Sequence, residues 1–215
     1  MIVREREPLN LEMPFGSLDE FLTPVDRFFV RGHFAIPQID MKTWRLRIEG
    51  EVEEPLELTY DWMTRIIASA QPFNGYYQTI DYAYWQRGPS APTLIPITAM
   101  QVKALIARPG FADTVRAGEP YDVRGAAWTS EAEITKVEIS TDGGETWHDT
   151  RLLGEPIRNA WRLWAYDWTA PTKPGKVTLM ARATDSEGRT QPTERDQDRR
   201  NYIVNHLLPI EVDVR

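Results

Sequence analysis

Apolar and polar residues alternate through much of the second half of the chain, the period of a strand with one face buried. Val137 and Ile139 alternate with Lys136 and Glu138, and Val177, Leu179, Ala181 and Ala183 repeat the pattern. Strands are predicted over Val102 to Ala107, Tyr121 to Trp128, Ile134 to Ser140, Trp161 to Trp168, Val177 to Thr184 and Ile210 to Val214. Turn-forming residues separate them: Ala117-Gly118, Asp142-Gly143-Gly144, Lys173-Pro174-Gly175 and Asp185 to Gly188. Roughly six or seven short strands without a helical period predict an immunoglobulin-like sandwich, placed here from Thr93 to Arg215.

The first half is less regular. Residues 1–16 contain Pro8, Pro14 and Gly16 and show no period, which suggests an extended arm. Ser17-Leu18-Asp19-Glu20 fits a capping box, with Leu18, Phe21 and Leu22 on the apolar face of a short helix stopped at Thr23-Pro24. Trp44 to Glu49 alternates strictly and predicts a strand with one buried face; Leu56 and Leu58 alternate again. Met63, Ile66 and Ile67 have helical spacing. Tyr76 to Trp85 is dense in aromatics without a clean period, and Gly88 to Pro96, with three prolines, is the best linker candidate.

Composition narrows the function classes. A formal charge of -7 argues against nucleic acid as a partner. The 215 residues include no cysteine, which excludes disulfides, zinc–thiolate clusters, iron–sulfur centres and thiolate nucleophiles. The three histidines, His33, His148 and His206, are too scattered to form a metal motif. No apolar run marks a signal peptide or membrane span near Met1, so the expectation is a cytoplasmic protein without membrane contact, or a periplasmic one if a leader is missing.

Ser140-Thr141-Asp142-Gly143-Gly144-Glu145-Thr146-Trp147 matches Ser-x-Asp-x-Gly-x-Thr-Trp and resembles the Asp box on β-hairpins of sialidases and other β proteins. The carboxylate can accept amides across the turn, the glycines supply positive φ, and the Trp packs on the sheet. A fold-stabilising turn outweighs a carbohydrate site in this reading. Glu194 to Arg200 is a mixed-charge run, read as a solvated loop rather than an interaction edge.

Several segments together resemble sulfite-oxidase-type molybdenum enzymes. Phe28-Phe29-Val30-Arg31-Gly32-His33-Phe34-Ala35-Ile36-Pro37 is similar to the family's Phe-Phe-x-Arg-Asn-His-x-x-x-Pro stretch, with Gly32 where the family has Asn. Trp44 to Gly50 and Pro55 to Leu58 fit the strand pair that follows in the family. Ile134 to Trp147, then Trp161, Trp164, Trp168 and Ala181 to Pro192, resemble its dimerisation domain. Between them, Leu58-Thr59-Tyr60-Asp61 runs straight into Trp62-Met63, where the family carries a domain-sized cofactor block with its molybdenum-binding cysteine.

The resemblance implies a mostly β fold: a C-terminal immunoglobulin-like (E-set) sandwich preceded by a short α+β remnant of the molybdopterin-binding domain. The implied domains are that remnant over 1–61, an aromatic connector over 62–92 and the dimerisation domain over 93–215. The family is a molybdenum-cofactor oxidoreductase family. This chain, lacking the cysteine, is expected to be an inactive fragment that binds no molybdopterin, holds no catalytic or metal residue, and forms a homodimer through its sandwich. The alternative is a non-catalytic carbohydrate- or protein-binding module. Arg31 and His33 are the candidate relics of cofactor contact, a guanidinium and an imidazole suiting a pterin phosphate, set against a solvated Arg and a surface His. Tyr76 to Trp85 is expected in a packed seam between domains.

Overall fold

The computed structural model describes residues 1–35, 37–50, 53–62 and 70–215. Ile36 and the expected helical residues Met63, Ile66 and Ile67 lie outside that description. The chain forms two compact units that interleave in sequence: one contains Met1–Glu12 and Phe29–Asn74, the other Met13–Phe28 and Gly75–Arg215.

The larger unit is a β-sandwich, as the alternation predicted. One sheet holds β8 (Lys103–Arg108), β10 (Pro120–Trp128), β13 (Arg151–Leu152) and β14 (Arg162–Thr169), in the order β13-β14-β10-β8. The other holds β9 (Thr114–Val115), β11 (Ile134–Ser140), β12 (His148–Asp149), β15 (Gly175–Asp185) and β16 (Ile210–Val214), in the order β12-β11-β15-β16-β9. The inward residues of both sheets form one core, including Val123, Ala127, Trp164 and Trp168 from the first and Val137, Ile139, Leu179, Ala183 and Val212 from the second. Burying a side chain of this size is worth roughly 1.5–3 kcal/mol each, so the alternating residues supply most of the driving force.

Gly125 is forced by this packing. A Cβ there would lie 2.1 Å from the Leu105 carbonyl oxygen and 2.3 Å from Trp164 Cζ2. The β10–β8 register shifts between Arg124 and Gly125, so a bulge and a buried indole both crowd one backbone position.

The helix expected near the N-terminus is overturned. The capping box at Ser17 does not form: Phe15–Ser17 is a single 3-10 turn, and Ser17 Oγ donates to the Pro14 carbonyl at 2.7 Å. Met13 to Phe28 instead serves as a strap within the sandwich unit. Leu18 is buried against Ala107 and Ala126, with Phe15, Trp161 and Leu163 packed around them. Asp19 pairs with Arg108 at 2.7 Å, and Trp161 Nε1 donates to the Phe21 carbonyl at 3.0 Å. An apolar sheet surface was there to be covered, and this tertiary contact outweighed the local helix signal.

The linker reading is also corrected. Thr93–Pro96 is strand β7, paired with β6 (Ala83–Gln86) in an antiparallel hairpin, so only Gly88 to Pro92 is loop. The mixed-charge run between β15 and β16 is not a free solvated loop either. Asp198 accepts from Arg87 Nε and Nη2 at 2.6 and 2.8 Å, and Arg199 stacks over Tyr84 at 4.2 Å. Arg200 Nη1 donates to the carbonyls of Ile80, Asp81 and Ala83 at 2.8, 3.0 and 3.1 Å. These arginines hold β6 in place.

The smaller unit is thinner. β1 (Ile2–Glu5), β2 (Asn10–Glu12) and β3 (Val30–Arg31) form one antiparallel sheet, where the sequence suggested only an extended arm. β4 (Arg45–Ile48) pairs with β5 (Leu56–Thr59) as expected. The predicted buried face is absent: Leu46, Ile48 and Leu56 are 47%, 40% and 50% exposed. Alternation reports a face suited to burial, and here no described layer covers it.

Candidate functional site

Arg31 ends β3, and its position is fixed by a buried asparagine. Asn10 Oδ1 accepts the Gly32 amide at 2.9 Å, while Asn10 Nδ2 donates to Glu5 Oε2 at 2.6 Å and to the Pro8 carbonyl at 3.2 Å. The amide of Gly32 also reaches the Leu9 carbonyl at 3.2 Å. A Cβ at Gly32 would come 3.3 Å from the carbonyl oxygens of Leu9 and Phe34. Arg31 and His33 are both exposed, and Arg31 makes only a long 3.5 Å contact from Nη1 to the Gly32 carbonyl. The segment therefore has an ordered backbone beneath two solvent-facing cationic or ionisable side chains. Neither is enclosed by the described residues of their own unit.

The Asp-box hairpin forms as its chemistry predicted. Asp142 accepts Ser140 Oγ at 2.6 Å, the Thr146 amide at 3.0 and 3.1 Å, and the Thr146 hydroxyl. Gly143 and Gly144 have φ of 77° and 100°. Those bonds from Ser140 and Thr146 hold the Asp142 carboxyl well below its ordinary range. Trp147 lies under the Arg182 guanidinium at 4.2 Å, and Arg182 also donates to Glu138 at 2.8 Å. The carboxylate's acceptors are consumed inside the turn, which is what a structural hairpin requires and a carbohydrate site does not.

Two further nodes were not visible in the sequence. The Gln191 side chain joins the two sheets: its Oε1 accepts the Ala104 amide of β8 at 2.7 Å and the Ala183 amide of β15 at 2.9 Å. Its Nε2 donates to the Asn205 carbonyl at 3.2 Å. Asp185, with a side chain 0% exposed, accepts Thr129 Oγ1 at 3.0 Å, Arg189 Nε at 2.8 Å, and the Glu187 and Arg189 amides at 3.0 Å each. Burial pushes this carboxyl up, but those bonds together outweigh burial and hold it below its usual value.

The remaining predicted residues are dispersed. His148 is exposed at a strand end and stacks on Tyr166 at 6.1 Å; His206 is half-buried beside the buried Leu207. The packed seam expected over Tyr76 to Trp85 is only partly packed. Ala83 is buried and Tyr82 meets Tyr202 at 5.3 Å, while Tyr76 is 65% exposed and Trp85 41%. Among the described residues no group of three or more His, Asp or Glu is arranged to hold a metal ion.

With this geometry in hand, comparison with known proteins is informative. Residues 95–213 match the family described as the Mo-co oxidoreductase dimerisation domain. Mitochondrial sulfite oxidase of Macaca fascicularis is 28% identical over 144 residues, covering 61% of this chain and 26% of that protein. Sulfite oxidase of Gallus gallus is 29% identical over 140 residues, covering 61% of this chain and 30% of its own length. The chain thus spans less than a third of these relatives. The sulfane dehydrogenase SoxCD from Paracoccus pantotrophus superposes with a TM-score of 0.67 at 15% identity, covering 100% of this chain and 88% of that one. At that identity the likeness is one of fold.

Proposed function

The chain belongs to the Mo-co oxidoreductase dimerisation domain family, and from that premise we propose that it is a non-catalytic polypeptide that self-associates through its sandwich. The observation that carries this reading is the donor set. The family depends on a molybdenum cofactor, and a soft thiolate is the protein ligand expected for such a metal. This sequence contains no cysteine. Arg31 and His33 stand exposed, with no enclosing wall among the described residues of their unit, so the residues present do not fit a cofactor that must be held and shielded. No catalytic step is assigned to them.

What is retained is the sandwich, with its core, its strap and its latches. Homodimer formation follows from the family's dimerisation role. The test uses the full chain, produced in a host that makes molybdopterin. The expected results are no molybdenum in the purified protein, no sulfite-dependent electron transfer, and a dimer by light scattering at micromolar concentration. Molybdenum near one equivalent with sulfite turnover refutes the non-catalytic reading; a monomer refutes the association. The exposed rings of Tyr76 and Trp85 support the alternative, a carbohydrate- or protein-binding module. That reading gains if glycan-array binding is seen and is lost when those rings are replaced in a folded protein.

A further inference from the structure

Arg162, the first residue of β14, presents an electrostatic anomaly. Its Nε and Nη1 are buried and have no hydrogen-bond partner among the described residues. The guanidinium takes part in no ion pair among those residues. Its position is not loose: the strand residue pairs with Ala127 of β10, and Ala127 is fully buried. A guanidinium stays charged at any pH the protein meets. Arg162 as a whole is half-buried, but leaving two donors of a charged group dry costs more than leaving a neutral group unpaired.

The same side chain lines a small cavity in the sandwich unit, about 20 Å³ in volume, together with Thr129, Glu133, Ile134, Ile157 and Trp161. That volume suits a single occupant not much larger than a water molecule. The wall chemistry then decides among occupants. The Ile134 and Ile157 side chains offer no polar atom, and the Ile157 carbonyl already accepts the Ala160 amide at 3.2 Å. Thr129 Oγ1 already donates to Asp185 Oδ2 at 3.0 Å. Glu133 is exposed, and its backbone amide and carbonyl are taken by Ser186 Oγ at 3.2 Å and the Ser186 amide at 2.8 Å. Arg162 is therefore the single cation among the described residues that line the cavity, and its Nε and Nη1 have no acceptor among them. A water would supply an acceptor but no charge. A divalent oxyanion exceeds the space and would face the Glu133 carboxylate at the rim.

We infer that this cavity is a site for one small monovalent anion of halide size, held by the Arg162 guanidinium. The anion accepts from the two buried donors of the half-buried Arg162 at the start of β14 and links the β10–β11 loop to the loop that precedes β14. This role is separate from association and from any cofactor.

The test is a bromide soak of crystals of the full chain, read by anomalous scattering, together with thermal unfolding in sodium bromide against sodium gluconate at equal ionic strength. The expected result is an anomalous peak in the cavity within hydrogen-bonding distance of Arg162, and a saturable rise in Tm at millimolar bromide. The rise should disappear in Arg162→Met. Density for water alone without an anomalous peak overturns the inference, as does a Glu133 carboxylate filling the cavity. An unchanged bromide response in Arg162→Met also overturns it. Should that variant fail to fold, the anomalous map of the wild-type protein decides.

Discussion

Replacing Gln191 with alanine tests whether the two sheets are joined by one side chain. Gln191 is itself 5% exposed, and truncation leaves the amides of Ala104 and Ala183 and the carbonyl of Asn205 without their present partner. A stranded buried donor costs about 1–3 kcal/mol, so two amides cost roughly 2–6 kcal/mol before any relaxation or water entry. Against a total stability of about 5–15 kcal/mol that loss is large but survivable. Urea unfolding followed by tryptophan fluorescence reads it directly, because Trp164 and Trp168 lie in the core. At an m-value of about 2 kcal/mol per molar, the midpoint should fall by roughly 1–3 M with m unchanged. Amide hydrogen exchange should accelerate at Ala104 and Ala183 while Val123, at the centre of the core, stays protected. A midpoint within about 0.25 M of wild type, equivalent to ~0.5 kcal/mol at that slope, refutes the latch.

Gly125→Ala should destabilise by roughly 3 kcal/mol or more, at the upper end of overpacking penalties, because its Cβ would overlap the Leu105 carbonyl and the Trp164 ring; calorimetry measures this, and a Tm unchanged within a degree or so contradicts it. Acid stability follows from three carboxyls held low: Glu138 by Arg182 and Lys136, Asp142 by Ser140 and Thr146, and Asp185 by bonds that outweigh its burial. Their folded pKa values lie below unfolded values of about 3.9 to 4.3. Their contribution is thus complete above roughly pH 5 and is lost as pH falls through the folded values. Urea midpoints should be level on the neutral side and drop below about pH 4; a midpoint that rises on acidification reverses the expected sign.

The sandwich was legible because two independent signals agreed there. Alternation marked the strands, and residues suited to positive φ marked the turns, as at Gly118, Gly143, Gly144 and Gly188. The Asp-box turn was legible because the side-chain bonds of Ser140 and Asp142 run between residues at most four positions apart. What escaped detection depends on distant partners. Ala104 and Gln191 are 87 positions apart, and Arg200 and Ile80 are 120 apart. Neither pair leaves a local trace. β6 was hidden because Tyr84 and Trp85 are apolar in succession, which erases the alternation. The strands of the smaller unit were missed or over-read for the opposite reason: β4 alternates, yet its apolar residues are exposed. A periodic pattern states which face prefers burial, and only tertiary structure states whether something covers it.

The strap over Ala107 and Ala126 makes this module continuous in space but broken in the chain. The polypeptide passes from one unit to the other after Glu12, returns after Phe28, and crosses again after Asn74. Cutting at Thr93 would preserve every strand of the sandwich. It would also strip the cover from one sheet and remove Ala83–Gln86, the partner of β7. A single recombination point therefore transfers this sandwich with an apolar face bare; inheriting it intact requires two separated stretches of gene to travel together.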